Sequence, residues 1–414
     1  MSKVELIKRM FPVYLASFVA WIHYIGFVPL GYMYNTYPNQ DTLVITIVIL
    51  PTIFASLGGI VAGRLIAKIG KKNLVIASMI LMIIGGFGML FFGDKGIGLA
   101  IAFSGISGFA AGTIPAANYE ILLTIAPDNL RDKVCGWSDA ICSLGLAIGM
   151  FTSGFLAADG VWTRAYSIYY LVIPVLILVV ALYPKDVQTA ATETKTDKEN
   201  ADNVARKGKS PLPASIIALL IIKVFSGLFY TSFGMFSSDY IINDAQLGSS
   251  VLVGSVQTIT QVVNITASAV IFLWLKFFKG FSSMIAQVIL GVFMMVFIVA
   301  GSSIPGIMLS AALIYVGLMS SHSSIGTIMG LAPDKQSIGR AAGLFMSMTF
   351  IGEALCGYIV PVLANLFLGS SSAINSLKIS AIFSIIIGVI SLPFFYQAYK
   401  LAFNKKPLEV QKLA

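Results

Sequence analysis

Ionisable side chains stand near the middle of four of the long apolar runs in this sequence. Lys223 and Glu353 occupy the middle of two runs, and His23 and His322 occupy two others. An ionisable group at the centre of a bilayer costs about 2.5–3.5 kcal/mol on insertion scales. Each of the four residues therefore requires a partner or a function.

Lys223 is the strongest candidate for a binding residue. It follows about ten residues of apolar chain, which in a helix is on the order of 15 Å and close to the bilayer midplane. An ammonium group there could face a central cavity and bind an anionic solute group or a carboxylate. The alternative is a long side chain that snorkels back to the membrane surface. The sequence favours the cavity-facing role.

The other three ionisable residues could move protons. Glu353 could carry a proton, or it could stay neutral as a packing residue. Histidine titrates near neutral pH, so His23 and His322 could relay protons or donate to a solute. A histidine that is hydrogen-bonded between two helices is the alternative for each of them. Both possibilities stay open for all three residues.

Amide and tyrosine side chains complete the candidate site. Gln257, Gln261 and Asn264 are spaced i, i+4 and i+7, which places them on one helix face. Amides cannot take protons, so they would hydrogen-bond either a solute in a wet cavity or a neighbouring helix. The predicted solute-binding residues are Lys223, Tyr24, Tyr230, His23, Gln257 and Gln261, and the predicted proton-coupling residues are Glu353 and His322.

The elements that position these residues are apolar runs, twelve in number, each near the roughly 20 residues that cross a bilayer as a helix. With 57% hydrophobic and 11% charged residues, the composition fits this interpretation. The predicted fold class is an all-α membrane protein with twelve transmembrane helices. The runs cover residues 11–34, 42–66, 73–93, 96–121, 136–158, 164–184, 212–236, 250–275, 282–302, 306–330, 339–363 and 377–399.

Basic residues cluster in alternate gaps between the runs and predict the orientation. Of the 27 Lys and Arg residues, Lys95, Arg164 and Lys378 lie outside and Lys223 lies within a span, which leaves 23 on the cytoplasmic side if both termini are cytoplasmic. The net charge of +9 is explained by this topology signal, so we expect no nucleic-acid partner. The first run is too long for a signal-peptide core and should remain as a span. We expect a multi-pass protein of the cytoplasmic (plasma) membrane.

The sequence divides into two parts that repeat each other weakly. Residues 185–211 are rich in charged residues and threonine and should form a cytoplasmic linker between an N-terminal six-helix half, 1–184, and a C-terminal half with its tail, 212–414. The motif Ala126-Pro127-Asp128 recurs as Ala332-Pro333-Asp334, an offset of 206 positions (332 − 126). The same offset relates Tyr24 to Tyr230. Transporters commonly place their substrate site at such a repeat interface.

The loop after the second run carries a recognisable pattern. Gly63-Arg64-Leu65-Ile66-Ala67-Lys68-Ile69-Gly70-Lys71-Lys72 resembles the signature loop of the major facilitator superfamily, with Ala67 where that family has Asp. The resemblance implies a twelve-helix transporter fold whose first, fourth, seventh and tenth spans line the cavity. Gly63 would let helices approach closely, and Gly70 would permit a tight turn. The predicted conformational latch consists of Gly63, Lys68, Gly70, Lys71 and Lys72.

A second pattern indicates a branch of that superfamily. Gly136-x8-Gly145-x3-Gly149, followed by Ser153-Gly154, is similar to the fifth-span motif of drug:proton antiporters. Met150 and Ser153 replace a proline and a glycine of that motif. The motif layout is closest to the drug:proton antiporter-like branch.

These observations predict a secondary transporter that moves a small organic solute, with a carboxylate as the group Lys223 would bind. We expect proton coupling, alternating access and a monomer in the lipid bilayer. A multidrug efflux antiporter and a non-transporting sensor on the same fold are the alternatives. The sequence contains no phosphate-binding glycine loop, no nucleophilic triad and no metal-spaced His/Cys cluster, so we expect no enzyme activity, cofactor or metal.

Overall fold

A computed structural model describes residues 3–125, 131–184, 212–300, 303–331 and 338–404, and nearly all of them are helical. The linker at 185–211 and the two Ala-Pro-Asp motifs lie outside the described residues. The α-helices are α1 Lys3–Ala20, α2 Leu30–Thr36, α3 Asp41–Ile69, α4 Lys71–Phe92, α5 Ile97–Ile125, α6 Arg131–Leu156, α7 Val172–Leu182, α8 Ala214–Asp239, α9 Ser250–Ala269, α10 Ile271–Phe278, α11 Ser282–Val299, α12 Ile304–Leu331, α13 Ile338–Leu368 and α14 Ala373–Asn404.

Eleven helical segments among the described residues are long and apolar enough to cross a membrane. The one predicted span that is not among these eleven is the eighth, which corresponds to α9. This helix has the length of a span but carries Gln257, Gln261 and Asn264. These amides lower the hydropathy of α9. The helix packs between α6 and α12, so its polar side chains can face protein instead of lipid. The protein is therefore a multi-pass integral membrane protein.

Several predicted spans are interrupted helices. The first span is α1, a 3-10 segment Ile22–Phe27 and α2, with Pro29 at the second junction. The sixth begins as a 3-10 segment, Trp162–Leu171, before α7. The eighth, predicted to run to residue 275, ends at Ala269 and is followed by the short α10. Irregular backbone in a membrane protein is tolerated where it is buried in protein or lines a cavity.

The helices form two halves of six spans each, with α1 to α7 in the first and α8 to α14 in the second. In the first half α1 and α2 belong to one span, and in the second half α9 and α10 belong to one predicted span. Within the halves, α5 packs closely against α3 and α4, and α8 packs against α13. Between the halves, α6 packs against α9 and α3 against α13. We call the end of the bundle where α1 and α8 begin and α14 ends the termini face, and the opposite end the far face.

Glycines allow the closest of these crossings. A Cβ on Gly112 of α5 would lie 1.8 Å from the carbonyl oxygen of Ala55 in α3. A Cβ on Gly352 of α13 would lie 2.2 Å from the carbonyl oxygen of Val224 in α8. The second crossing sets the separation of the two helices that carry Lys223 and Glu353. Small residues permit such close approach where lipid provides no hydrophobic driving force between helices.

Candidate functional site

Lys223 of α8 lies in the interior of the C-terminal half. Its side chain is fully buried, with 0% exposure. The ammonium nitrogen Nζ finds no hydrogen-bond partner among the described residues. It lies 4.9 Å from the ring centroid of Tyr230 and 5.4 Å from that of Phe345. Aromatic faces attract a cation but do not replace hydrogen bonds, so this charge is only partly compensated.

Tyr230 joins Lys223 to Glu353. Its ring faces the Lys223 ammonium, and its hydroxyl donates a hydrogen bond to Glu353 Oε1 on α13. Glu353 and Lys223 also interact electrostatically, although no ion pair within 4.0 Å forms between them. Both Tyr230 and Glu353 are half-buried, whereas Lys223 is enclosed. One aromatic side chain thus contacts both an acid and a base.

His322 of α12 borders the same cluster. Its ring lies 4.9 Å from that of Phe345, edge to face, and it is within electrostatic range of Lys223. Phe345 therefore touches both predicted functional groups. Sequence reasoning did not select Phe345, because a phenylalanine in an apolar run carries no distinguishing signal.

Tyr24 brings the N-terminal half to the cluster. It is half-buried in the 3-10 segment of the first span, hydrogen-bonds Thr52, and lies within electrostatic range of Glu353 and Tyr230. Tyr315 of α12 also lies near Glu353 and hydrogen-bonds Thr260. Tyr315 was not predicted. The cluster therefore lies between the two halves and is lined by tyrosines from both.

His23 is placed differently from the other predicted residues. It is buried, with 7% exposure, and its ring lies 4.2 Å from that of Tyr24. Apart from a loose approach to the Ala20 backbone, neither ring nitrogen has a hydrogen-bond partner among the described residues. His23 packs against Tyr24, and no described contact joins His23 to Lys223.

The amides of α9 mainly bind neighbouring helices. Gln257 Nε2 donates to Ser237 Oγ of α8 at 2.9 Å and leaves its Oε1 without a described partner. Asn264 Nδ2 donates to Ser143 Oγ of α6 at 3.4 Å and to Gln261 Oε1 at 3.4 Å. None of the described contacts of Gln261 reaches Lys223 or Glu353. In this conformation the predicted polar face of α9 is a helix seam.

A further polar layer lies beside Lys223, and sequence reasoning did not identify it. Gln287 of α11 is 3% exposed, and its Nε2 donates to Ser226 Oγ of α8 at 2.5 Å and to Ser321 Oγ of α12 at 2.9 Å. Its Oε1 and the Oγ of the fully buried Ser324 have no described partner. An amide in the apolar run 282–302 was the available signal.

The halves are sealed to each other toward the far face. Gly31 donates to Ser238 Oγ at 3.1 Å, and Ser238 Oγ donates to the Val28 carbonyl at 2.7 Å. Thr46 and Tyr358 share a 2.9 Å hydrogen bond between their hydroxyls. Every hydrogen bond that joins described residues of the two halves lies in the middle of the bundle or toward this face.

The predicted latch makes its described contacts within the N-terminal half. Lys71 forms a 2.8 Å ion pair with Glu120 of α5, and Lys72 Nζ donates to the Val180 carbonyl of α7 at 2.8 Å. Lys68 is exposed at the end of α3. Lys71 and Lys72 thus connect the start of α4 to α5 and α7 of the same half.

The two latch glycines behave differently. Gly70 adopts φ 81° between α3 and α4, as a tight turn requires. The close helix approach expected at Gly63 was wrong, because a Cβ there would meet nothing within 4 Å. The approach occurs instead at Gly58, where a Cβ would lie 2.4 Å from the Phe109 carbonyl oxygen.

Membrane-crossing helices in two halves around a central charged and aromatic cluster define a multi-pass transporter fold. The Major Facilitator Superfamily model matches residues 10–357, most of the chain, and the chain belongs to this superfamily. No curated protein matches the chain.

Solved structures with the same fold are transporters. The inward-open xylose transporter XylE from E. coli superposes with a TM-score of 0.70 and 14% identity, covering 94% of this chain and 96% of that one. A D-xylose–proton symporter gives 0.73 and 13%, covering 95% and 98%. A bacterial homologue of the human lysosomal transporter Spinster gives 0.72 and 10%, covering 98% and 99%. At these identities the likeness establishes the fold.

Proposed function

We propose that this protein is a proton-coupled secondary transporter of a small organic solute that carries a carboxylate. The observation that supports it most is the buried Lys223 ammonium without a hydrogen-bond partner, next to Tyr230 and the half-buried Glu353. An uncompensated buried charge is costly. A solute anion that binds there would supply the missing counter-charge.

Glu353 is the proposed proton carrier, with His322 as the second candidate. When Glu353 is ionised, its charge compensates Lys223 in part and competes with a solute carboxylate. When Glu353 is protonated, Lys223 is released to bind the anion. The hydrogen bond from the Tyr230 hydroxyl depends on the protonation state of Glu353, because it is stronger to an ionised carboxylate than to a neutral carboxyl group. Solute and proton binding thereby favour each other, which is the thermodynamic basis of symport.

Transport itself would proceed by rocking of the two halves around this cluster. The proposed halves are 1–184 and 212–414, joined by a linker at 185–211, and the protein acts as a monomer. Both termini would be cytoplasmic in the plasma membrane, as the positions of the Lys and Arg residues indicate. In that orientation the hydrogen bonds toward the far face would hold the two halves together on the outer side of the membrane. The latch lysines would exchange partners when the halves close on the termini side.

Uptake into proteoliposomes tests this function. Lys223→Ala should abolish solute binding, since the ammonium supplies the only charge proposed to contact the anion. Glu353→Gln should remove accumulation driven by a pH gradient while solute exchange persists. Unchanged uptake by the Lys223 variant would refute the anion contact, and continued gradient-driven accumulation by the Glu353 variant would refute its coupling role.

Export of lipophilic drugs by proton antiport is the second candidate. It is favoured by the fifth-span motif, because a Cβ on Gly145 would lie 1.7 Å from the Phe18 carbonyl oxygen, so the motif glycine packs tightly against α1. An exporter should lower the sensitivity of a host cell to dyes or antibiotics, and a nutrient carrier should not. A non-transporting sensor would bind a solute in vesicles without moving it.

A further inference from the structure

Three buried polar groups without a hydrogen-bond partner among the described residues lie on α8, α11 and α12 of the C-terminal half. They are Lys223 Nζ, Ser324 Oγ and the Oε1 of Gln287, and their residues are 0%, 0% and 3% exposed. Buried polar groups are almost always hydrogen-bonded in folded proteins. Three exceptions in one layer indicate a place that a ligand completes.

Helix register places Lys223 and Ser324 at the same level. Gln287 bridges Ser226 and Ser321, so these two residues face each other across the antiparallel helices α8 and α12. Lys223 precedes Ser226 by three residues, and Ser324 follows Ser321 by three residues. Each step is about one helical turn on the same face and leads toward the termini face. Lys223 and Ser324 therefore share the next level of the same gap.

The internal repeat places the same two residues together independently. An offset of 206 relates Lys223 to Ser17 and Ser324 to Asn118. In the N-terminal half, Asn118 Nδ2 donates to Ser17 Oγ at 2.9 Å. The corresponding helices α8 and α12 approach each other less closely than α1 and α5, and the side chain of Gln287 spans the wider gap.

From this placement we infer that Lys223, Ser324 and Gln287 form a subsite for the carboxylate of a small monocarboxylic acid. The inference rests on the proposed transport function and adds the substrate class and two residues to it. The ammonium and the Ser324 hydroxyl donate to the carboxylate oxygens. Ser226 and Ser321 can each donate or accept, so the Gln287 amide can turn and present its NH2 group as a third donor.

The charges around the site favour an anion that carries a single negative charge. Lys223 is the only cation in the cluster as the structure describes it. Glu353 is joined to the Lys223 site through Tyr230 and lies within electrostatic range of Lys223, so its carboxylate would repel a second negative charge. A dicarboxylate or a phosphate dianion would leave one charge buried and unpaired, which the enclosed position of the layer disfavours.

Ligand-dependent thermal stability of the purified full-length protein tests this subsite. The probes are lactate, pyruvate and benzoate, compared with succinate and inorganic phosphate. We expect the monocarboxylates alone to stabilise the wild type. Ser324→Ala should weaken their binding roughly 10-fold or more, because one charge-assisted hydrogen bond is lost. Ser324→Thr keeps the hydroxyl and should restore binding.

Ser384→Ala is the matched control, since Ser384 of α14 is also buried and unpartnered, at 1% exposure, but lies on a different helix. Equal binding by wild type and Ser324→Ala would overturn the subsite, while loss of binding in Lys223→Ala would still support the transport proposal. Preferential binding of succinate or phosphate would overturn the monocarboxylate class. If no probe binds although a neutral solute is accumulated, the carboxylate assignment fails and the transporter assignment stands.

Discussion

Asn118 of α5 and Ser324 of α12 occupy corresponding positions in the two halves of the molecule. Asn118 donates to Ser17 Oγ and to the Val13 carbonyl at 2.9 and 3.1 Å, and accepts from the Tyr183 hydroxyl at 2.6 Å. Ser17 in turn shares a 2.8 Å hydrogen bond with Ser138. Ser324 has no described partner at all.

The difference extends to the charged residues. Position 17 is a serine in the first half, and the corresponding position 223 is a lysine in the second. In the fifth and eleventh spans Gly145 and Gly352 occupy equivalent crossings, an offset of 207 (352 − 145), so Glu353 corresponds to Leu146, whereas Tyr24 and Tyr230 are retained in both halves. Around Asn118 the first half thus has a hydrogen-bonded polar cluster, and around Lys223 the second half has ionisable groups whose partners are incomplete. Incomplete partners are typical of a site that binds something else.

The largest effect is expected from removing the lysine charge. Lys223→Met keeps the length of the side chain and its aromatic contacts but removes the ammonium. Monocarboxylate binding should weaken by roughly 100-fold or more, because breaking a buried charge pair costs about 3–5 kcal/mol. Isothermal titration would measure it. Lys95→Met is the control, since Lys95 also lies over a ring, that of Phe92 at 4.7 Å, but at the far face.

Removing the acid should separate proton coupling from binding. Glu353→Gln keeps the acceptor for the Tyr230 hydroxyl but cannot ionise. We expect solute exchange to continue while a pH gradient no longer drives accumulation. Counterflow and gradient-driven uptake in the same vesicles would show the two activities. Gradient-driven accumulation equal to that of wild type would mean that another group, with His322 the first to test, carries the proton.

Mutation of Asn118 in the N-terminal half should reduce stability and leave binding unchanged. Asn118→Ala removes three buried hydrogen bonds, those with the Val13 carbonyl, Ser17 Oγ and the Tyr183 hydroxyl, so we expect a loss of about 2–4 kcal/mol in the free energy of unfolding. Binding by the folded fraction should be unchanged. Denaturant unfolding in detergent and titration of the folded protein would measure both. A large binding defect without destabilisation would show that this half also contacts the solute.

A smaller effect is expected at the residue between acid and base. Tyr230→Phe keeps the ring over Lys223 and removes the hydrogen bond to Glu353. Binding should persist, and the accumulation ratio at a fixed pH gradient should fall about 10-fold, since one charge-assisted hydrogen bond is worth about 1.5–3 kcal/mol. Tyr315→Phe serves as the control because it removes a neighbouring hydroxyl that bonds Thr260 instead.

The smallest effect is expected at the ion pair of the loop between α3 and α4. Lys71 and Glu120 are 2.8 Å apart, with side-chain exposures of 14% and 49%. Pairs with this exposure contribute about 0.2–1 kcal/mol. Lys71→Gln should therefore change the melting temperature little. A marked change in transport rate at unchanged stability would assign the pair to conformational switching.

Much of the fold followed from the sequence because spans, charge bias and the linker are long-range patterns. The superfamily and eleven of the membrane helices agree with those patterns, and the bounds of the halves and of the linker stay predictions. The breaks in the first, sixth and eighth spans did not follow, since apolar composition does not reveal where a helix changes its hydrogen bonding. The approach expected at Gly63 failed for a related reason. The side of a helix that meets a neighbour depends on tertiary packing.

The site was predictable to the extent that ionisable groups in membrane spans are rare. Lys223, Glu353, His322, Tyr230 and Tyr24 were selected on that ground or by the repeat, and the structure brings them together. Phe345, Tyr315 and Gln287 were missed, because aromatic and isolated amide residues are common in spans that only pack. Gln261 was selected on helical spacing, and its described contacts stay on its own helix.

One double variant tests the central claim most directly. Lys223→Ser combined with Ser324→Asn gives the C-terminal half the residues that bond each other as Ser17 and Asn118 in the N-terminal half. Melting temperature and monocarboxylate binding would be measured on the same purified sample. If the unpartnered layer is the binding subsite, the variant should still fold and should bind no monocarboxylate. Wild-type binding by a folded double variant would contradict the account.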